Sequence, residues 1–242
     1  MPDAPSARAL WVCDLGLVDY DEALGLQRAV ARARITGEIP QDVLLLCEHP
    51  PVVTLGRSSK AGHLLLPAPA LAARGIALRE VERGGDVTLH APGQLVGYPV
   101  VDLKRHRQDL HWYLRQIEQG LIDAMAALGL PCARRAGLTG VWVADRKLAS
   151  IGVHARDWVT WHGFALNVST DLSLFDVIVP CGIADVTMTS VTRELGASAP
   201  AGPAVTAAVV AGVAGTFGLA ALPVARAALA AEAPALPRPG AP

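Results

Sequence analysis

Apolar residues recur along this chain with two periods, about two and about 3.6 residues, and the points where one gives way to the other mark its elements. Residues 43–47 form an unbroken apolar run that predicts a buried strand. Glu48-His49-Pro50-Pro51 interrupts it, and residues 52–55 resume the extended pattern. Residues 10–13 start a strand, and 79–82, 87–90 and 95–101 are short strands separated by Gly84-Gly85 and Pro92-Gly93. A helix is expected over 21–35, where Ala23, Leu26, Val30 and Ala33 share one face. The clearest helix covers 109–128, with Leu110, Leu114, Ile117, Leu121 and Leu128 on one stripe and Gly129 and Pro131 as stop signals. Residues 141–143 and 148–153 read as a hairpin turning through 144–146, and 164–168 and 177–179 supply further strands. In the hairpin, alternation places Lys147 on the same apolar side as Ala149, Ile151 and Val153. Val205, Val209, Val213 and Phe217 can form one helical face, and no internal repeat is visible.

Composition narrows the class. With 242 residues, 52% hydrophobic and 18% charged, the chain can bury a sizeable core, and a single domain is expected. A formal net charge of -1 removes the electrostatic case for nucleic-acid binding. Residues 195–224 are uncharged and have to be tested as a membrane span; they are mostly Ala, Gly, Ser and Pro, interrupted by Pro200, Pro203 and Pro223, and read as a soluble helix instead. The N-terminus shows neither a basic nor an apolar export region. After Gly196 the composition shifts to Ala and Pro; 218–242 reads as a partly disordered tail and 233–242 as disordered.

The four cysteines, Cys13, Cys47, Cys132 and Cys181, contain no C-x-x-C pair, which argues against a zinc site or a disulfide framework and for a reducing cytoplasm. His49, His90, His154 and His162 lack metal-ligand spacing, so no metal is expected. Neither a Walker-type loop nor a G-x-G-x-x-G turn is present.

Two residues stand in unusual settings. Cys181 lies between Pro180 and Gly182, on a turn where backbone N–H groups can face an oxyanion, although a lone cysteine is as readily a small buried hydrophobe. The other three cysteines sit in apolar segments or beside a proline and read as structural. Lys147 follows Asp145 and Arg146 and could be a surface residue of the turn; its apolar side argues otherwise, because desolvation disfavours the ammonium and prepares the amine to accept a proton. The glycine-dense segment Arg83-Gly84-Gly85-Asp86-Val87-Thr88-Leu89-His90 reads either as a plain turn or as a loop whose backbone approaches a ligand.

Several separate blocks, in order, resemble the lipoyl(octanoyl) transferases, the octanoyl-[acyl carrier protein]:protein N-octanoyltransferases of lipoate biosynthesis. They are 48–57, 83–95 with Gly97-Tyr98-Pro99, Gly140-Val141-Trp142, 147–153, 162–168, Pro180-Cys181-Gly182-Ile183 and Thr189-Ser190-Val191, so that the likeness spans about 43–196. His154 departs from it, where a basic residue is more usual.

The resemblance implies an α/β (α+β) catalytic domain over residues 1–217, with a mixed sheet and flanking helices similar to biotin and lipoate protein ligases. It implies that Cys181 is the acyl-thioester nucleophile and that Lys147 lowers its pKa. Arg83 to His90, Ser150-Ile151-Gly152 and Gly163-Phe164-Ala165 would line the acyl substrate. The donor would be octanoyl-acyl carrier protein and the acceptors lipoyl domains of 2-oxoacid dehydrogenase complexes and the glycine cleavage H protein. No cofactor, nucleic acid or membrane is implied, and the protein would act as a cytoplasmic monomer. The rivals are an ATP-dependent lipoate or biotin ligase, which has no need of the thiol, a non-catalytic carrier-binding module, and a cysteine hydrolase, for which no Asp or Asn partner of a catalytic His is evident. Lys104, Arg105, Arg107, Arg134 and Arg135 cluster near the ends of the 109–128 helix, as a solvated rim or as a docking surface for an acidic carrier.

Overall fold

A computed structural model describes residues 8–182 and 186–232, without the side chains of Cys181 and residues 230–232. In chain order the elements are β1 (Ala9–Leu17), α1 (Tyr20–Thr36), β2 (Asp42–Glu48), β3 (Val52–Leu55), α2 (Ala68–Ala73), β4 (Ala77–Glu80), β5 (Val87–His90), β6 (Gln94–Val100) and α3 (Leu110–Ala127). The chain continues with β7 (Ala133–Arg135), β8 (Leu138–Val143), β9 (Arg146–Arg156), β10 (Val159–Asn167), β11 (Thr187–Met188), α4 (Val191–Leu195), α5 (Gly202–Thr216), β12 (Ala220–Pro223) and α6 (Arg226–Glu232).

Among the described residues the strands form a mixed sheet in the order β12-β1-β2-β6-β10-β9-β8-β7, with β11 pairing β9, and a smaller sheet β4-β3-β5. The continuous apolar run of β2 follows from its central place: Leu44 and Leu46 join a core with Ile117, Leu121, Val205 and Val209 of α3 and α5. Val43, Leu45 and Cys47 face the other way, against Ala23, Leu26 and Val30 of α1. A strand covered by helices on both faces has no polar side to alternate with. The smaller sheet has its own core, with Val53, Leu89, Phe175 and Ile178.

Local chemistry sets the helix ends. Asp19 accepts from the N–H groups of Asp21 and Glu22 to start α1, and Gly37, at a φ of 84°, closes it. Asp109 accepts from Trp112 N at 3.0 Å to start α3. The α3–α5 crossing depends on two glycines: a Cβ on Gly212 would collide with the Gly120 carbonyl oxygen. Gly212→Ala should therefore force the helices apart and cost about 1–3 kcal/mol, seen as a Tm lower by roughly 2–4 °C per kcal/mol. A parental Tm in thermal unfolding would mean that the helices are free to separate.

Two expectations change. Residues 177–179 are not a strand; Leu172–Val177 is a 3-10 turn and Ile178 makes a single bridge, to Leu64. Val177 and Ile178 are apolar because they fill the core of the smaller sheet, not because they pair along a strand. The folded unit also continues past 217. β12 lies parallel to β1, Val224 N donates to Val12 O at 2.8 Å, and Leu229 of α6 is fully buried. β12 exposes all four side chains and is held through its backbone, so its sequence carries no alternation to read. The expected disorder of 233–242 falls outside the described residues. No helix among the described residues is long and apolar enough to cross a membrane.

Candidate active site

The loop from β4 to β5 is built around Arg83, which is 6% exposed. Its Nη2 donates to Thr54 O at 2.7 Å and to Thr54 Oγ1 at 2.9 Å, while Nη1 donates to Gly84 O at 3.1 Å. Gly84 N donates to Val153 O at 2.8 Å and ties the loop to β9. Gly85, at a φ of 84°, then turns the backbone into β5.

This loop, β9, β10 and the β7–β8 turn surround a cavity of about 260 Å³. Of the expected lining, Arg83, Gly85, Asp86, Val87, Thr88, His90, Ser150, Ile151, Gly152, Gly163, Phe164 and Ala165 are on its wall, together with Lys147. Gly84 and Leu89 are not: Gly84 backs onto β9, and Leu89 is fully buried in the core of the smaller sheet. The wall also includes Tyr20, Tyr98, Gly137, Leu138, Thr139 and His162. Tyr20 comes from α1 and carries no local signal of a site, whereas Tyr98, from the middle of β6, lies in the Gly97-Tyr98-Pro99 block of the resemblance. His162 opens the 162–168 block of the resemblance and has a further feature that the backbone reveals, a φ of 56°.

One end of the cavity is aromatic and polar. Tyr20 stacks on His90 at 5.7 Å between ring centroids, and His49 Nε2 lies 2.7 Å from Tyr98 Oη. With Nδ1 of His49 donating to Val18 O, Nε2 is left to accept from the tyrosine. His90 Nδ1 donates to Gln94 Oε1 at 2.8 Å, Gln94 Nε2 to Asn167 Oδ1 at 2.9 Å, and Asn167 Nδ2 to Thr189 O at 3.0 Å. Thr189 N donates in turn to Lys147 O at 2.9 Å. Burial, reinforced by His49, pushes the His90 imidazole down to about 3, so it stands neutral at pH 7. Burial also lowers the pKa of His162, against an opposing effect of Glu82.

Lys147 is 2% exposed, in agreement with its apolar side of the strand. It pairs with Trp142 of β8 and with Met188 of β11, and Nζ lies 5.4 Å from the centre of the Trp142 ring. Cys181 belongs to the Pro180–Gly182 turn. Its thiol is outside the described side chains, but the turn has clear anchors. Val179 N donates to His63 O at 2.8 Å, and a Cβ on Gly182, whose φ is 64°, would collide with Asp86 Oδ2. The chain then returns as β11 beside Arg146 and Lys147. Gly182 N–H donates to Val179 O at 3.0 Å, which removes it from the donors the Pro-Cys-Gly setting offered to an oxyanion.

The other cysteines are placed differently. Cys13 and Cys47 are buried and Cys132 half-buried; burial raises all three thiols, that of Cys132 to about 12. No cluster of three or more metal-ligating side chains occurs among the described residues. A histidine with an acidic partner does occur: His63 Nδ1 donates to Asp86 Oδ2 at 2.6 Å, across 23 residues that no spacing rule connects.

A family model for the lipoyl protein ligase A/B catalytic domain matches residues 19–213. The chain belongs to this family. It is 49% identical over 193 residues to the octanoyltransferase of Synechococcus elongatus, covering 78% of this chain and 79% of that one. It is 52% identical over 168 residues to the octanoyltransferase of Gloeobacter violaceus, covering 69% and 73%. Within the lipoyl protein ligase A/B family it is an octanoyltransferase. Two solved structures share its fold at low identity. One is lipoate-protein ligase A bound with ATP, with a TM-score of 0.77, 17% identity and 93% of both chains covered. The other is a bi-partite lipoate protein ligase, described with its E2 lipoyl domain, from Thermoplasma acidophilum, with a TM-score of 0.72, 18% identity and 93% and 91% covered.

The basic rim of this octanoyltransferase is only partly available for docking. Arg134 Nε lies 3.0 Å from the buried carboxylate of Glu118, and Arg135 lies over the Trp142 ring at 5.3 Å.

Proposed function

We propose that octanoyl transfer in this protein runs through a thioester on Cys181, with acyl carrier protein as donor and a lysine of a lipoyl domain as acceptor. The observation that carries this reading is the arrangement of one cavity: Lys147 is buried in its wall, and the segment bearing Cys181 is seated on Asp86 at one end and paired beside Lys147 at the other. Lys147 takes the thiol proton, and the thiolate attacks the donor thioester carbonyl. The tetrahedral adduct collapses, the C–S bond to the carrier breaks, and the carrier thiol leaves with a proton. The acceptor ε-amine then attacks the octanoyl-Cys181 carbonyl, loses a proton to the base, and expels the Cys181 thiolate as the amide forms.

Thioester exchange is nearly thermoneutral and conversion of a thioester to an amide is downhill, so the cycle requires neither ATP nor a cofactor. Action as a monomer in the cytoplasm, where an acyl carrier donor would be met, is part of the same proposal. Lipoyl domains of 2-oxoacid dehydrogenase complexes and the glycine cleavage H protein are the acceptor class that presents such a lysine. Cys181 is the feature an adenylating ligase would not need.

The test is intact mass spectrometry. Octanoyl-acyl carrier protein without ATP should leave one octanoyl group on the enzyme, and a lipoyl domain should then remove it and become acylated. Octanoyl-adenylate formed from octanoate and ATP, with no adduct from the carrier, would overturn this reading in favour of the ligase.

A further inference from the structure

Glu118 is an anomaly in α3. It lies on the helix face buried by Ile117, Leu121 and Met125 and is 0% exposed. An ionised carboxylate there carries a desolvation cost of several kcal/mol unless it is fully partnered, and an apolar residue of similar size is often as stable or more so. Its partners divide between its two oxygens. Oε2 receives the guanidinium groups of Arg115 and Arg134, while Oε1 points inward and accepts the backbone N–H of Gly140 at 3.0 Å.

Gly140 is where β8 presses against the lysine. Its φ is 135°, and a Cβ there would lie 2.8 Å from Lys147 Cε and 2.6 Å from Ala149 O. One residue further on, the β8–β9 register slips: Val141 pairs with Ala149, but Trp142 pairs with Lys147. A bulge of this kind re-aims the side chain beside it. Here Lys147 is laid over Gly140, with Nζ beside the Trp142 ring, in the wall of the cavity.

We infer that Glu118 is a positioning residue for the transfer reaction: by holding Gly140 through its backbone N–H, it fixes the β8–β9 bulge that aims Lys147 into the acyl cavity. Arg115 and Arg134 neutralise the carboxylate so that it can serve there, which gives Arg134 a structural use in place of docking. The inference rests on the reading in which Lys147 ionises Cys181.

The experiment measures the pH dependence of Cys181 alkylation by iodoacetamide, followed by peptide mass, together with transfer rate and Tm. Lys147→Met is the reference and should move the alkylation midpoint upward by about one pH unit or more. Glu118→Met and Gly140→Ala should move it in the same direction and slow transfer by roughly tenfold or more. Glu118→Gln keeps an acceptor for Gly140 and should retain more transfer than Glu118→Met. A purely structural role would lower Tm and leave the alkylation midpoint in place. If Lys147→Met leaves the midpoint unchanged, the Lys147–Cys181 reading falls. If Lys147→Met moves it while Glu118→Met stays at the parental midpoint and rate, the positioning role is overturned, whatever Gly140→Ala does by pressing a Cβ on Lys147 directly. Should Glu118→Met fail to fold, Glu118→Asp, which keeps a carboxylate for Arg115 and Arg134 but shortens the reach to Gly140 N–H, takes its place, and a parental midpoint and rate in that variant overturns the positioning role.

Discussion

Cys181→Ala should yield a folded protein that neither accumulates an octanoyl adduct nor transfers the group, a loss to the background of the assay. The alternative thiols are poor candidates. Cys13 and Cys47 are enclosed in the sheet core, and burial raises the thiol of Cys132 to about 12, so at neutral pH only a minute fraction is thiolate. The Cys181 turn instead rests on Asp86 of the cavity wall through Gly182, and Met188 further along the chain pairs with Lys147. Alanine keeps the backbone of the Pro180–Gly182 turn, so Tm should stay near the parental value while activity is lost. The measurement is intact mass after mixing with octanoyl-acyl carrier protein, followed by peptide mapping. An adduct that persists in the variant, or maps to Cys13, Cys47 or Cys132, overturns the assignment.

Lys147→Arg should reduce transfer by ~10²-fold or more, although the charge is retained. Arginine cannot give up its proton near neutral pH, so it can neither accept the thiol proton nor relieve the attacking amine of one. The fit changes as well: Lys147 is 2% exposed, lies against Gly140 and faces the Trp142 ring, so the larger planar head group has to turn into the cavity. Single-turnover rates of acyl-enzyme formation and of its consumption by a lipoyl domain would separate the two proton transfers. A variant with near-parental rates in both steps would leave Lys147 without a role as a base.

Much of the site is legible in the sequence because the relevant physics is local. Alternation along β9 places Lys147 on a buried side, and the glycines before β5 announce a backbone that approaches something closely. The same holds for β2, whose unbroken apolar run follows from helices on both faces, and for α3, whose start is written in Asp109. What the local pattern reports is burial, and it misleads where burial and pairing separate. Val177 and Ile178 look like a strand because they are buried, whereas β12 looks like a tail because its pairing with β1 uses the backbone alone.

The cavity itself was decided by tertiary structure. Tyr20, Tyr98 and His162 reach it from α1, β6 and β10, and His63 meets Asp86 only through folding of the intervening chain. Glu118 is buried in α3 beside Ile117 and Leu121, yet its partner is a backbone N–H 22 residues away, which has no side-chain signature to find. Arg134 reads as free charge until that carboxylate is placed beside it. The chain by itself determined which residues carry reactive chemistry and which segments are buried, since both depend on residue type and short-range period. Only the fold determined which of those groups meet, because contacts between segments distant in sequence are chosen by the packing of whole elements and not by any neighbour along the chain.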